Sequence, residues 1–149
     1  MEQKKLKVVV VGGVAGGASA AARIKRLNEQ AEVVVFEKGP DVSFSNCSLP
    51  YYLSGTVEDS EDLVMMTPAG FRKKHDIDVR VRTEVLSIDR AAKTVMVRNE
   101  ESGEMYSEAY DKLVLSPGAN PIVPPPLRSC MGENVFTIRN VRDICAMKA

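Results

Sequence analysis

The chain has 149 residues, 44% hydrophobic and 27% charged, with 20 Lys and Arg balanced by 20 Asp and Glu. That length suits one domain with a sizeable core, and a net charge of zero excludes a general pull toward nucleic acid or an anionic membrane. The apolar stretches fall far short of a membrane span, and Cys47, Cys130 and Cys145 are widely spaced with no C-x-x-C, which excludes a disulfide framework and a zinc pattern.

The N-terminus, Met1-Glu2-Gln3-Lys4-Lys5, leads straight into an apolar run without the features of a signal peptide, so a cytoplasmic location is expected. Val8 to Val11 reads as a buried strand. A glycine cluster follows at 12–17, then an alanine-rich helix over 15–28, then a second apolar run, 33–36, ending in Glu37. Strand, tight turn, helix, strand and acid make the βαβ unit that holds a dinucleotide. Gly12 permits the sharp turn off the strand. Small residues at the helix start let the backbone approach a pyrophosphate, which the N–H groups of the first turn and the helix dipole stabilise. Gly17, Ala18, Ala21 and Ala22 let the helix lie close on the sheet. Glu37, twenty-five residues beyond Gly12, stands where a carboxylate accepts the hydroxyls of a ribose. The strict pattern has glycine at 14; here Val14 leaves G-x-x-x-x-G with an additional Gly16.

Residues 38–41 read as a loop. Ser45 or Asn46 is placed to cap a short helix beginning at Cys47 and ending at Gly55, and a thiol at such a position is pushed toward thiolate. A small buried hydrophobe is the alternative reading of such a cysteine. Thr67-Pro68 opens another helix, to about Lys74. Its basic end, Arg72 to His75, reads as a solvated face that complements the helix C-terminus; phosphate contact is the alternative for Lys74 or His75, the only histidine. From Asp78 the period becomes two, and segments 79–82, 85–88, 94–98 and 105–110 read as an antiparallel β-meander with turns at 90–93 and 101–103. The parallel sheet resumes at 112–115 and breaks at Ser116-Pro117-Gly118-Ala119, the kind of strand end where open sheets place ligands. Residues 120–126 form a proline-rich exit loop, 134–138 a short strand, and 139–149 the start of a helix.

Four segments, VVVVGGVAGGASAAAR, VSFSNCSLPYYLSG, YDKLVLSPGANPIVPP and VFTIRNVRD, together resemble the flavin-dependent pyridine nucleotide–disulfide oxidoreductases. More narrowly they are similar to its single-cysteine branch of coenzyme A-disulfide reductases, NADH oxidases and NADH-dependent per- or polysulfide reductases. The resemblance implies an α/β, Rossmann-like FAD/NAD(P)-binding fold with an inserted antiparallel meander, incomplete at its C-terminus. The chain would be the N-terminal segment of the FAD-binding domain, with the NAD(P)H-binding and dimerisation domains absent. Cys47 would be the redox nucleophile; the position five residues on is Tyr52 rather than a second cysteine. The thiol would therefore cycle through a sulfenate or a mixed disulfide with substrate.

Carried over by position, Gly12, Val14, Ala15 and Gly17 would line the FAD pyrophosphate, Glu37 with neighbouring Lys38 would hold the adenosine end, and Val85 would meet the adenine through its backbone. Ser116, Pro117 and Gly118 would form a second FAD-contact segment. Ser43 and Asn46 would orient the thiol and its small-molecule thiol or disulfide substrate. Ser19, Arg23, Arg26 and Lys74 would contact a coenzyme A moiety; Arg23 and Arg26 share a helix face and could meet a phosphate, with a solvated face as the alternative. NAD(P)H would be the electron donor and a homodimer the assembly of full-length relatives, and the isolated chain is expected to show no NADH-dependent turnover. A non-catalytic module that holds FAD or an adenine nucleotide is the alternative. A short dehydrogenase ranks lower, because Tyr106 and Tyr110 have no lysine four residues on.

Overall fold

A computed structural model describes residues 5–132 and 134–149. They fall into two compact units. The first comprises residues up to Ser43 with Met66–Pro117, and the second Phe44–Met65 with Gly118–Ala149.

The first unit is built on a parallel sheet. Strand β1 (Lys7–Val11) turns into helix α1 (Ala15–Leu27), which returns to β2 (Glu32–Phe36); α3 (Pro68–His75) precedes β3 (Asp78–Arg80). Val9 lies opposite Val34 and Val10 opposite Val35. Strand β7 (Lys112–Leu115) adds to the other edge of β1, so the order is β3-β2-β1-β7. Successive side chains of a strand point to opposite faces, and here both faces are covered. Val8, Val10, Val33 and Val35 pack with Ala18 and Ala21 of α1 and Phe71 of α3. Val9, Val34 and Phe36 pack with Val95 and Val97 of the antiparallel sheet β4 (Thr83–Asp89), β5 (Thr94–Asn99) and β6 (Met105–Ala109). A sheet buried on both faces needs the unbroken valine runs seen here, and each fully buried valine contributes about 1.5–3 kcal/mol.

Three sequence expectations are corrected. Residues 78–80 join the parallel sheet beside β2 rather than the meander; Val79 packs on the α1 side of the core, while Arg80 enters an ion cluster. The segment 134–138 makes an isolated bridge, Met131 with Val135, and no strand. The helix expected to open at Cys47 opens at Leu49 instead: Asn46–Ser48 is a single 3-10 turn with no side-chain cap, followed by the five-residue α2 (Leu49–Leu53). The cap of α3 is as expected: Thr67 Oγ1 accepts the Gly70 N–H at 3.1 Å.

In the second unit Leu49, Leu63 and Ile144 are buried where α2, the turn Ser60–Leu63 and α4 (Val141–Lys148) meet. A reciprocal box closes α4: Asn140 Oδ1 accepts the Asp143 N–H and Asp143 Oδ2 accepts the Asn140 N–H. Lys148 Nζ lies 3.8 Å from the centroid of the Tyr52 ring.

Glu108 on β6 anchors the meander to the parallel sheet. Its carboxylate takes Lys7 Nζ at 2.6 Å and Arg80 Nη1 at 2.7 Å, while Arg80 also donates to Tyr106 and lies over the Phe36 ring. Burial pushes the Glu108 carboxyl up, but the hydrogen bonds and charges of Lys7 and Arg80 outweigh it and hold the group below the usual carboxylate range. A depressed carboxylate pKa gives stability that is full above the unfolded value, about 4.3, and is lost as pH falls through the folded one. Glu108→Gln is therefore expected to cost about 1–3 kcal/mol at neutral pH. Urea midpoints at neutral pH and near pH 4 check it: the gap between parent and variant must shrink in acid.

Candidate functional site

In the first unit the chain runs β1, β2, β3 outward on one side of the sheet, then returns to lay β7 on the other side of β1. The strand order reverses between β1 and β7. Open parallel sheets bind ligands outside the carboxyl ends of their strands at such a reversal. Two of the expected cofactor segments meet there: Gly12 follows β1, Ser116 follows β7, and the Ser116 N–H donates to the Val11 carbonyl at 2.8 Å.

Gly12 has φ +90, and a Cβ there would overlap the Ser116 carbonyl. A Cβ on Gly17 would overlap the Gly12 carbonyl, so the first turn of α1 lies directly on the β1 turn. The N-cap of α1 is Val14, whose side chain makes no cap, and no acid stands in the first turn. The leading N–H groups of a helix have no partner within it. Here they come with backbone close at hand and no acidic residue in the first turn, an arrangement suited to an anion. Val14 and Ala15 border this turn, and Val14 in place of glycine is accommodated half-buried.

Glu37 follows β2. Its Oε2 accepts the Gly13 N–H at 2.7 Å and its Oε1 the Gly39 N–H at 2.8 Å. Each oxygen keeps acceptor capacity, so the carboxylate is oriented by backbone and still able to take two hydroxyls. Gly13, whose N–H orients Glu37, lies in the glycine cluster but spacing alone does not single it out. Lys38 is directed elsewhere: its exposed Nζ donates to Glu84 at 2.6 Å. The Val85 side chain packs against the meander-side core. Strand β4 is an edge strand with a register shift between Val85 and Ser87, which leaves backbone groups outside the ladder.

Ser19, Arg23 and Arg26 lie exposed along α1. Arg26 and Lys74, 48 positions apart in sequence, line one open pocket of about 360 Å³ with Lys25, Lys73, His75, Glu29 and Asp76. Ser19 and Arg23 are not among its lining residues. Lys25 is 8% exposed, an unexpected interior lysine: its Nζ donates to the carbonyls of Glu29 and Ala31 at 2.7 and 3.0 Å and to Asp76 at 3.3 Å. It closes the C-terminal end of α1 and stands on the pocket wall. Ser43, with φ 53, gives its N–H to the Gly13 carbonyl.

In the second unit Cys47 is exposed and unpaired in the 3-10 turn, with Asn46 exposed beside it. Ser45 Oγ lies 3.3 Å from Cys47 Sγ and 2.8 Å from Ser48 Oγ. The hydrogen bond from Ser45 lowers the thiol pKa most; slight desolvation opposes it, and the backbone and Ser48 add to the lowering. Gly118 also belongs to this unit, where a Cβ on it would overlap Arg139 Nη2. Among the described residues no group of His, Cys, Asp or Glu is placed to hold a metal ion, and no helix is long and apolar enough to cross a membrane.

A family model described as pyridine nucleotide-disulphide oxidoreductase matches residues 6–149. Coenzyme A disulfide reductase of Staphylococcus haemolyticus (strain JCSC1435) is 40% identical over 144 residues, covering 95% of this chain and 31% of the relative. The structure of reduced Bacillus anthracis CoADR-RHD superposes with a TM-score of 0.92 at 44% identity, over 99% of this chain and 27% of that one. An NAD-dependent persulfide reductase from A. fulgidus follows at 0.89 and 36% identity, over 95% of this chain and 26% of that one. The chain thus spans less than a third of each of these relatives.

Proposed function

The chain belongs to the pyridine nucleotide-disulphide oxidoreductase family, and from that membership we propose that it is the N-terminal, FAD-binding segment of an NAD(P)H-dependent flavoprotein disulfide reductase with Cys47 as its single redox cysteine. The observation that carries this reading is the convergence, at one sheet reversal, of an uncapped helix start, a turn in which Gly12 and Gly17 leave no room for a Cβ, and an oriented Glu37 carboxylate. Gly12, Val14, Ala15 and Gly17 offer the pyrophosphate surface, Glu37 the ribose acceptor and β4 around Val85 the adenine edge, with Ser116, Pro117 and Gly118 contributing the second segment. Lys38 serves the site indirectly, by tying the Glu37 loop to the meander.

FAD held by these residues would supply the electron pair that returns an oxidised Cys47 to thiolate, with NAD(P)H as the donor elsewhere in the full protein. The Cys47 thiolate attacks one sulfur of the substrate disulfide, the S–S bond breaks, and one thiolate leaves while a mixed disulfide remains on Cys47. The basic pocket of Arg26, Lys73, Lys74 and His75 suits a phosphate-bearing thiol, and Ser19 and Arg23 extend the polar face of α1. The similarity to coenzyme A disulfide reductases and a persulfide reductase supports coenzyme A disulfide, or a related per- or polysulfide, as the substrate class. Three free thiols suit a reducing compartment, the cytoplasm, and the full-length protein is read as a homodimer.

Titrating the purified chain with FAD and with ADP, read by flavin absorbance and thermal midpoint, tests the site. Stabilisation by FAD is expected, weakened about tenfold or more in Glu37→Gln, because the neutral amide loses the charge that strengthens hydroxyl hydrogen bonds and turns an NH2 donor toward one of the two N–H groups that orient Glu37. Stabilisation by ADP without flavin retention would favour the non-catalytic adenine-nucleotide module. Response to neither would overturn both.

A further inference from the structure

The reading of Cys47 as the nucleophile leaves open what favours its thiolate. The turn that holds it is a single 3-10 turn followed by five helical residues, too short for a helix dipole to act with force. Neither of the residues picked out beside it by position, Ser43 and Asn46, bears on the thiol: the nearest partner of the sulfur is the Ser45 hydroxyl at 3.3 Å, which Ser48 touches in turn, and Ser48 and the turn's own backbone add smaller contributions.

We propose that Ser45, oriented by Ser48, is the positioning residue that holds Cys47 as a thiolate; this rests on the redox role assigned above to Cys47. The proton bookkeeping fixes the direction. A thiolate is an acceptor only, so the Ser45 O–H turns toward Sγ, and the lone pairs of Ser45 Oγ accept the Ser48 O–H. In the protonated thiol the weak S–H donor can reverse the chain at little gain, so the two hydroxyls favour the charged form.

Both serines are half-buried and both are pinned by backbone. The Ser45 N–H donates to the Leu63 carbonyl at 2.8 Å, next to the bridge between Phe44 and Val64, and the Ser48 N–H donates to the Ser45 carbonyl at 3.1 Å. Ser45 occupies the N-cap position of the turn, yet its hydroxyl makes no capping bond to the backbone. A serine in that position ordinarily spends its oxygen on an N–H two or three residues on; this one points at sulfur and at a second hydroxyl. Once Cys47 has formed a mixed disulfide the charge is gone. The same hydroxyl then stands ready to meet it again when the thiolate is regenerated, or to donate to a substrate thiolate leaving nearby.

The test is the rate of Cys47 alkylation by iodoacetamide against pH on the full chain, followed peptide by peptide with Cys130 and Cys145 as internal references. Ser45→Ala is expected to move the Cys47 inflection to higher pH and to slow alkylation several-fold near neutral pH. Ser48→Ala should move it the same way by less, and Ser45→Thr should restore the parent profile. The two reference cysteines should keep theirs, which a general loosening of the fold would not allow. A Ser45→Ala profile that superimposes on the parent, with unchanged circular dichroism, overturns the relay while leaving Cys47 as nucleophile. If Ser45→Ala fails to fold, Ser48→Ala decides in its place, and an unmoved inflection there overturns the relay as well. The nucleophile reading falls separately, on turnover by Cys47→Ser in the full-length protein.

Discussion

Gly17→Ala is expected to destabilise the chain by about 3 kcal/mol, the upper part of the range for forcing atoms into a packed interior, while Gly16→Ala, one residue away, leaves it as stable or more so. The two substitutions add the same methyl group to the same helical turn. At 17 the new Cβ would overlap the Gly12 carbonyl and sit 3.2 Å from Val10 Cγ1; at 16 its nearest neighbour is Ser116 Oγ at 3.3 Å, the end of a side chain that can turn away. Alanine is also the better helix former by up to about 1 kcal/mol. The clash at 17 is with backbone, so relief requires α1 to back off from β1. That movement carries the first-turn N–H groups away from the Gly12 turn and opens the layer in which Ala18 and Ala21 pack on Val8 and Val10. Nucleotide affinity should fall with stability, at least tenfold. Thermal midpoints with and without FAD, for parent and both variants, provide the check. Equal behaviour of the two alanines would mean that helix and strand do not lie as close as described.

The contrast shows what can be read from residue order alone. The β1–α1–β2 unit is legible because each of its signals is local: a valine run, a glycine turn, small residues on one helix face, an acid after the second strand. The place of Ser116 is legible for the same reason, as a strand end broken by serine, proline and glycine. Other features depend on residues distant in sequence. Val79 and Val81 alternate with arginines as a half-exposed strand would, yet residues 78–80 become an edge of the parallel sheet because Arg80 finds Asp78, Glu108 and Tyr106. Nothing local in the sequence marks Lys25 as interior: Asp76, at the end of another helix, and the Ala31 carbonyl close over it. Residues 134–138 read as a short strand but have a partner for one bridge only. Arg26 and Lys74 share a pocket wall through the packing of their helices, and the resemblance, not spacing, put them in one group. Ser45 fits a cap, the usual work of such a residue; its reach to the sulfur depends on the extended conformation at 45, φ −83 and ψ 95, ahead of the 3-10 turn.

Cys47→Ser in the full-length protein is expected to abolish disulfide-dependent NAD(P)H oxidation, by at least about a thousandfold, the scale on which removing a nucleophile acts. The fold should be indifferent: the Cys47 side chain is exposed and fills no packed space, so its loss opens no cavity. Flavin retention should be unchanged too, because the proposed cradle residues Gly12, Val14, Ala15, Gly17, Glu37 and Ser116 belong to the first unit, at the ends of β1, β2 and β7 and the start of α1. Serine keeps the size and the hydrogen bond to Ser45 but replaces a thiol that Ser45 biases toward thiolate with a hydroxyl that stays protonated at neutral pH and cannot attack a disulfide sulfur. Cys130→Ser and Cys145→Ser are the comparisons. Both thiols are half-buried, and if either sulfur were the one that cycles, its variant would share the loss. Turnover with coenzyme A disulfide, flavin absorbance and thermal midpoint measured side by side separate the possibilities. Loss of turnover with the flavin spectrum and midpoint intact, in Cys47→Ser alone, assigns the chemistry to this sulfur; retained turnover in that variant removes it from the reaction.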